Sequence, residues 1–287
     1  FILYPLAILL TDSVVVEKNI NGTTLKTIGF ANFIKIFKMT NFRHAISNTL
    51  WLGLISGIGS TVIGFLFAYV DSYVDVGSKI VKKLFGVVSI LPVVSPPFVL
   101  SLSAILLFGR TGVITRGLFN MNNTQLYGWR GIALVQILTF FPVCYMMLKG
   151  LLKNIDPSLE EAARNMGAGR FKVFQTVTFP LLLPGIGNAF LVSFIESVAD
   201  FANPMIIGGN FDTLATSIYL QLTGAYDKSG ATAMAVVLLV ISMGLFILEK
   251  YWLERKSVAT LTGKATRGRA AITDSSVRIP LVTICTL

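Results

Sequence analysis

Residues 156–180 read DPSLEEAARNMGAGRFKVFQTVTFP, a charge-bearing stretch between two apolar runs. Asp156 is placed to cap a helix, and Pro157 suits the first helical position, where a missing N–H costs nothing. Ser158, with Glu161 three residues on, offers a capping-box start in nearly the same place. Leu159, Ala162, Ala163 and Met166 then follow the spacing of one apolar helical face. Glu160 and Arg164, one turn apart, share another face and can pair there. Gly167, free to take positive φ, should stop this helix. Phe171, Phe174 and Val177 predict a second short helix, ended by Pro180. The pattern is a two-helix knee over residues 153–180. Its small alanines leave the apolar face open to close approach by another surface.

The runs on either side set the environment. The 287-residue chain is 54% hydrophobic and 13% charged, with a mean hydropathy of +0.73. A soluble domain carries about 25% charged residues. The fold class read from this is all-α: a polytopic helical membrane protein of about six transmembrane helices. Spans are expected near 1–16, 46–70, 84–108, 131–148, 181–207 and 231–254, making 1–254 one transmembrane domain. Gly53, Gly57, Gly59 and Gly64 in the second span permit close helix packing. Pro92, Pro96 and Pro97 should kink or break the third, either as a wall of a transport path or as a purely structural bend.

The net charge of +10 could suit nucleic acid, but it lies in loops between apolar runs, so no nucleic-acid partner is expected. Most of the 24 lysines and arginines fall on the knee side, including Lys79, Lys82, Lys83, Lys149 and Lys153 and the basic segment 255–278. That bias puts the knee and the basic linker in the cytoplasm. Cys144 and Cys285 both sit in apolar runs, and His44 is the only histidine, so no metal site is expected. Gly263-Lys264 is not a phosphate-binding loop, because Val258 replaces its first glycine and Ala265 its magnesium-holding hydroxyl. No nucleophile–base pair is evident either. The chain is therefore read as a non-enzyme with no catalytic residue and no cofactor of its own.

Glu161-Ala162-Ala163, then Gly167, then Val177-Thr178-Phe179-Pro180, resembles the EAA signature of ABC importer permeases, the binding-protein-dependent inner-membrane components. Val177 and Phe179 stand where that family usually has Ile and Leu. The resemblance implies a permease subunit in the bacterial cytoplasmic membrane, in contact with lipid. It also implies a cytoplasmic ATPase dimer that holds the ATP and magnesium, and an extracytoplasmic substrate-binding protein. Leu159, Glu160, Glu161, Ala162, Ala163, Arg164, Met166 and Gly167 would form the coupling surface that meets the ATPase. The bland alternative is an amphipathic helix lying on the membrane.

Ser193, Glu196, Ser197, Asp200 and Asn203 share one broad polar face in the span 181–207. A carboxylate at membrane depth is costly. Two readings are open: the face lines the translocation path, or the acids are held by a neighbouring helix or hydrated near the surface. The run ESVADFANPMIIGG at 196–209 is similar to the iron(III)-type branch of the importer permeases, in which two halves are often fused. Ferric iron is the cargo this implies, with phosphonate, sugar phosphate or polyamine as alternatives. An ion-coupled secondary transporter, with Glu196 and Asp200 carrying protons, is the competing class. The apolar run IPLVTICTL at 279–287 reads as the start of a further helix, and the chain as continuing into a second permease half.

Overall fold

The computed structural model describes residues 3–20, 23–74, 79–120, 126–253, 282, 283 and 285. The basic linker 255–278 and most of 279–287 lie outside the described residues. The chain opens with α1 (Leu3–Val14), the antiparallel strands β1 (Val15–Ile20) and β2 (Thr23–Ile28), and α2 (Ala31–Lys38). The long helix α3 (Thr40–Tyr73) follows, then α4 (Lys79–Val94), α5 (Pro97–Phe108) and α6 (Trp129–Asn154). Next come α7 (Pro157–Asn165), α8 (Arg170–Val173), α9 (Phe179–Ala199), α10 (Ala202–Ile207), α11 (Leu214–Thr223) and α12 (Lys228–Leu248). Among the described residues, five helical stretches are long and apolar enough to cross a membrane: Thr40–Tyr73, Phe98–Leu118, Trp129–Asn154, Arg170–Ala199 and Lys228–Tyr251. The sixth apolar helix, α1, has 12 residues and a rise of only about 18 Å.

Two compact units divide the chain. One comprises Phe1–Leu54, Ser101–Val135 and Ile195–Leu245. Its core gathers Ile36, Phe42, Leu214, Ala233 and Met234. Thr49 joins α3 to α11 there: its hydroxyl donates to the Ala45 carbonyl at 2.8 Å and accepts the Leu214 N–H at 2.7 Å. Asn32 donates to the carbonyls of Ser13 and Val15, which fastens α2 to the end of α1 and the first strand. The β1–β2 hairpin is a departure from the all-helical reading, paired from Val15↔Ile28 to Ile20↔Thr23.

The other unit comprises Ile55–Leu100, Gln136–Phe194 and Phe246–Leu287. Ala68, Tyr73, Cys144, Tyr145, Leu148, Leu152, Leu182 and Ala189 form its core, from α3, α6 and α9. Gly64 brings α3 against α6 so closely that a Cβ there would lie 2.6 Å from Cys144 Cβ and 2.8 Å from Tyr145 N. The three prolines act unequally. Pro92 stays inside α4, while the break falls at Ser95-Pro96, and Pro97 opens α5 in the first helical position that proline tolerates.

Pro180 does not end the second knee helix, as the sequence pattern had it. The helix continues from Arg170 to Ala199. A π-helical turn over Phe174–Thr178 lies just ahead of the proline. A proline ring conflicts with the carbonyl four residues back, and the wider turn falls where that conflict arises.

Candidate functional site

The knee is built by local rules. Asp156 caps α7, its carboxylate accepting the Ser158 N–H at 2.9 Å. That backbone hydrogen bond holds the exposed Asp156 carboxyl below its ordinary pKa. Met166 closes the helix and Gly167 takes φ +85°, which lets the Ala168 N–H reach back to the Ala163 carbonyl at 3.1 Å. The chain then re-enters a helix at Arg170.

The expected four-residue apolar face is divided. α7 buries Pro157, Glu160 and Ala163. Leu159, Ala162 and Met166 look outward, with Met166 83% exposed. The exposed Phe171 continues this apolar surface in sequence. Glu161, Arg164 and Gly167 are also exposed.

Glu160 is not on an exposed flank beside Arg164; it is 4% exposed. One of its oxygens accepts the Tyr73 hydroxyl at 2.6 Å and the Thr178 hydroxyl at 2.9 Å. The inward position follows from helix geometry, since Pro157, Glu160 and Ala163 lie one turn apart on the same side. Tyr73 is the last residue of α3, and Thr178 immediately precedes α9. Glu160 therefore fastens α7 to the ends of two long helices at once. Rings reinforce the junction. Tyr69 stacks on Tyr73 at 4.7 Å, while Phe174 meets Tyr69 edge-on at 5.6 Å and lies tilted to Phe179 at 5.9 Å.

The acid-bearing segment is built differently. α9 ends at Ala199, α10 begins at Ala202, and Asp200 sits in the break. Its carboxylate accepts the Asn203 N–H at 3.3 Å and the Asn203 side-chain amide at 2.9 Å. Asn203, nearly fully buried, accepts the Ser101 hydroxyl at 2.7 Å. Ser197 is buried as well. Glu196 is exposed and has no hydrogen-bonding or ionic partner among the described residues. Ser193 is buried in the other unit, donating to the carbonyls of Phe190 and Gly57. No group of three His, Cys, Asp or Glu side chains able to hold a metal occurs among the described residues.

The profile of the family described as "Binding-protein-dependent transport system inner membrane component" matches residues 60–257, which contain both the knee and the acid-bearing segment. The chain belongs to that family. Its members are inner-membrane transport permeases, and the five membrane-length helices fit a multi-pass protein of that membrane. The permease is 38% identical over 274 residues to the putative ferric transport system permease protein FbpB 1 of Haemophilus influenzae, a match covering 93% of this chain and 42% of that one. It is 36% identical over 287 residues to the ferric transport system permease protein FbpB of Actinobacillus pleuropneumoniae, covering 98% and 40%. The chain thus spans about two fifths of the length of these relatives. The molybdenum transport system permease protein ModB of Escherichia coli is 32% identical over 181 residues, covering 61% of this chain and 79% of that one. Among solved structures, a bacterial ABC transporter involved in the import of the acidic polysaccharide alginate shares the fold, with a TM-score of 0.68, 19% identity and coverage of 89% and 90%. The MetNI methionine ABC transporter shares it at 0.59, with 20% identity and coverage of 74% and 94%.

Sequence reasoning passed over Tyr73, the bond that Thr178 of the signature makes to Glu160, and the polar contacts at the end of α6. Asp71 is buried, 2.6 Å from Lys149, and both contact the Tyr145 hydroxyl. The available signal was an aspartate inside an apolar run with a lysine near the end of another.

Proposed function

We propose that the permease forms the substrate pathway of an ATP-driven importer of ferric iron. The observation that carries this reading is the arrangement of α7. Its outer face presents Leu159, Ala162 and Met166 without cover, while its inner face is fixed through Glu160 to α3 and the start of α9. A surface docked on that outer face would move both helices as one body. A cytoplasmic ATPase dimer, holding ATP and magnesium, is the partner this mechanism requires, and Glu161, Arg164 and Gly167 belong to the same contact. The iron assignment rests on the ferric permeases that match 93–98% of this chain. Glu196, Asp200, Ser193, Ser197 and Asn203 are the residues proposed for the pathway, with Glu196 offering an unpaired negative charge to a cation. An extracytoplasmic binding protein would deliver the cargo. The greater length of the ferric relatives supports a second permease half, fused or separate, which would meet the second ATPase subunit.

The test is uptake of radioactive ferric iron into vesicles holding the full permease, its ATPase and its binding protein. ATP-dependent uptake is expected. Gly167→Val, which forces a β-branched residue to positive φ, should lower iron moved per ATP hydrolysed by about tenfold while the ATPase stays bound. Uptake driven by an ion gradient without the ATPase would sink this reading. Preferential uptake of phosphonate, sugar phosphate or polyamine would replace the cargo.

A further inference from the structure

A cavity of about 500 Å³ lies within one unit, with four charged side chains on its wall: Asp71, Lys83, Lys149 and Lys153. Lys149 is committed to Asp71 at 2.6 Å and to the Tyr145 hydroxyl at 2.8 Å. Lys83 and Lys153 are exposed and have no hydrogen-bonding or ionic partner among the described residues. One carboxylate faces three ammonium groups, so the cavity carries excess positive charge. Its remaining wall is apolar, from Gly86, Val87 and Ile90. A side chain at Gly86 would meet nothing within 4 Å, so the wall is open there.

The surroundings select the ligand. Lys83 lies one turn into α4, and Lys153 lies one residue before the end of α6, a helix long and apolar enough to cross a membrane. Lysines near the end of a membrane-length helix reach the headgroup layer. From the cavity, Val87, Leu91 and Val94 run along one face of α4, exposed by 55%, 57% and 80%. The stripe gives an acyl chain a track that begins beside the two free cations.

We propose that this cavity is a binding site for an anionic phospholipid. Lys83 and Lys153 pair with the headgroup phosphodiester, and one acyl chain lies along Val87, Leu91 and Val94. The Asp71–Lys149 pair, held by Tyr145, forms the fixed floor and keeps the third lysine from collapsing onto the site. A free phosphate would satisfy the two lysines but leave the stripe unused.

Native mass spectrometry of the purified full-length permease tests the proposal. Phosphatidylglycerol, phosphatidylcholine with the same chains, and inorganic phosphate are titrated separately. Phosphatidylglycerol should bind about tenfold more tightly than phosphatidylcholine, an effect of two headgroup contacts screened by salt. The double variant Lys83→Gln/Lys153→Gln should lose that preference. Lys83→Arg/Lys153→Arg, which keeps both charges, should retain it. Inorganic phosphate in millimolar excess should not displace the lipid. Equal retention of the two lipids, an unchanged preference in the glutamine variant, or displacement by inorganic phosphate overturns the proposal. So does displacement of the lipid by the ATPase subunit, which would give the cavity to that protein.

Discussion

The knee and the break between α9 and α10 both set acids into an apolar chain, and they treat them in opposite ways. In the knee, Glu160 is buried and accepts two hydroxyls on one oxygen, while its neighbour Glu161 is exposed. Around the break, Asp200 is held by Asn203, while Glu196 is exposed and has no partner among the described residues. A carboxylate with its hydrogen bonds filled is part of the framework, because removing it strands its donors. One without partners contributes little to the fold and is free to meet something outside the chain. Each region thus pairs a structural acid with an available one.

The largest effect follows from Glu160. Glu160→Ala removes the acceptor of both the Tyr73 and Thr178 hydroxyls, which are buried. Losing two buried hydrogen bonds to a carboxylate should cost about 2–4 kcal/mol. Glu161→Ala, on the exposed side, should change stability by about 0.5 kcal/mol or less. Thermal unfolding of the detergent-solubilised permease measures both. Equal losses in the two variants would show that the inward contact of Glu160 does not hold the knee.

These contrasts also mark what the sequence could reveal. Asp156, Pro157 and Gly167 act within four residues of themselves, and capping and positive φ are local properties, so the start and stop of α7 were legible. The inward turn of Glu160 was not. Its partners lie 87 and 18 residues away, and an apolar spacing that included Ala162, Ala163 and Met166 pointed to a different face. The run past Pro180 was missed because a proline reads as a helix end unless a π turn precedes it. The hairpin did have a signal, since Asn21-Gly22 separates its strands in sequence, but the charged residues around it obscured the alternation. At the acid-bearing segment the spacing identified the polar residues. It could not show that Ser193, Ser197 and Asn203 would be buried while Glu196 stayed exposed, because burial depends on the neighbouring helices.

The second contrast is within the acid segment. Glu196→Gln keeps the size of a side chain that has no partner to lose, so unfolding should be unchanged while iron uptake falls by about tenfold. Asp200→Ala removes the acceptor of the Asn203 N–H and of its side-chain amide and should cost about 1 kcal/mol. A Glu196→Gln variant with full uptake would remove that residue from the pathway. A destabilised one would show that it has a structural role after all.

The smallest effect concerns an acid of mixed character, Asp227, between α11 and α12. Its carboxylate meets Lys35 at 2.7 Å, Gln221 at 2.9 Å and the Gly230 N–H at 2.9 Å. Burial alone would raise its pKa, but Lys35 and the two other donors outweigh that and hold it below the ordinary carboxylate value. A group with a depressed folded pKa adds stability above its unfolded pKa of about 3.9 and loses it as the pH falls through the lower folded value. Lys35 is more than half exposed, so the contribution should be about 1 kcal/mol or less. Between pH 8 and pH 5, about one to four units above that reference, wild type and Asp227→Asn should therefore differ by a small, constant amount. The difference should shrink only below about pH 4, as the wild-type carboxylate takes up its proton. Unfolding midpoints of both proteins across this range give the comparison. A gap that grows on acidification would reverse the sign and show that Asp227 is favoured in its protonated form, which would place it with the buried acids and not with the ion pairs.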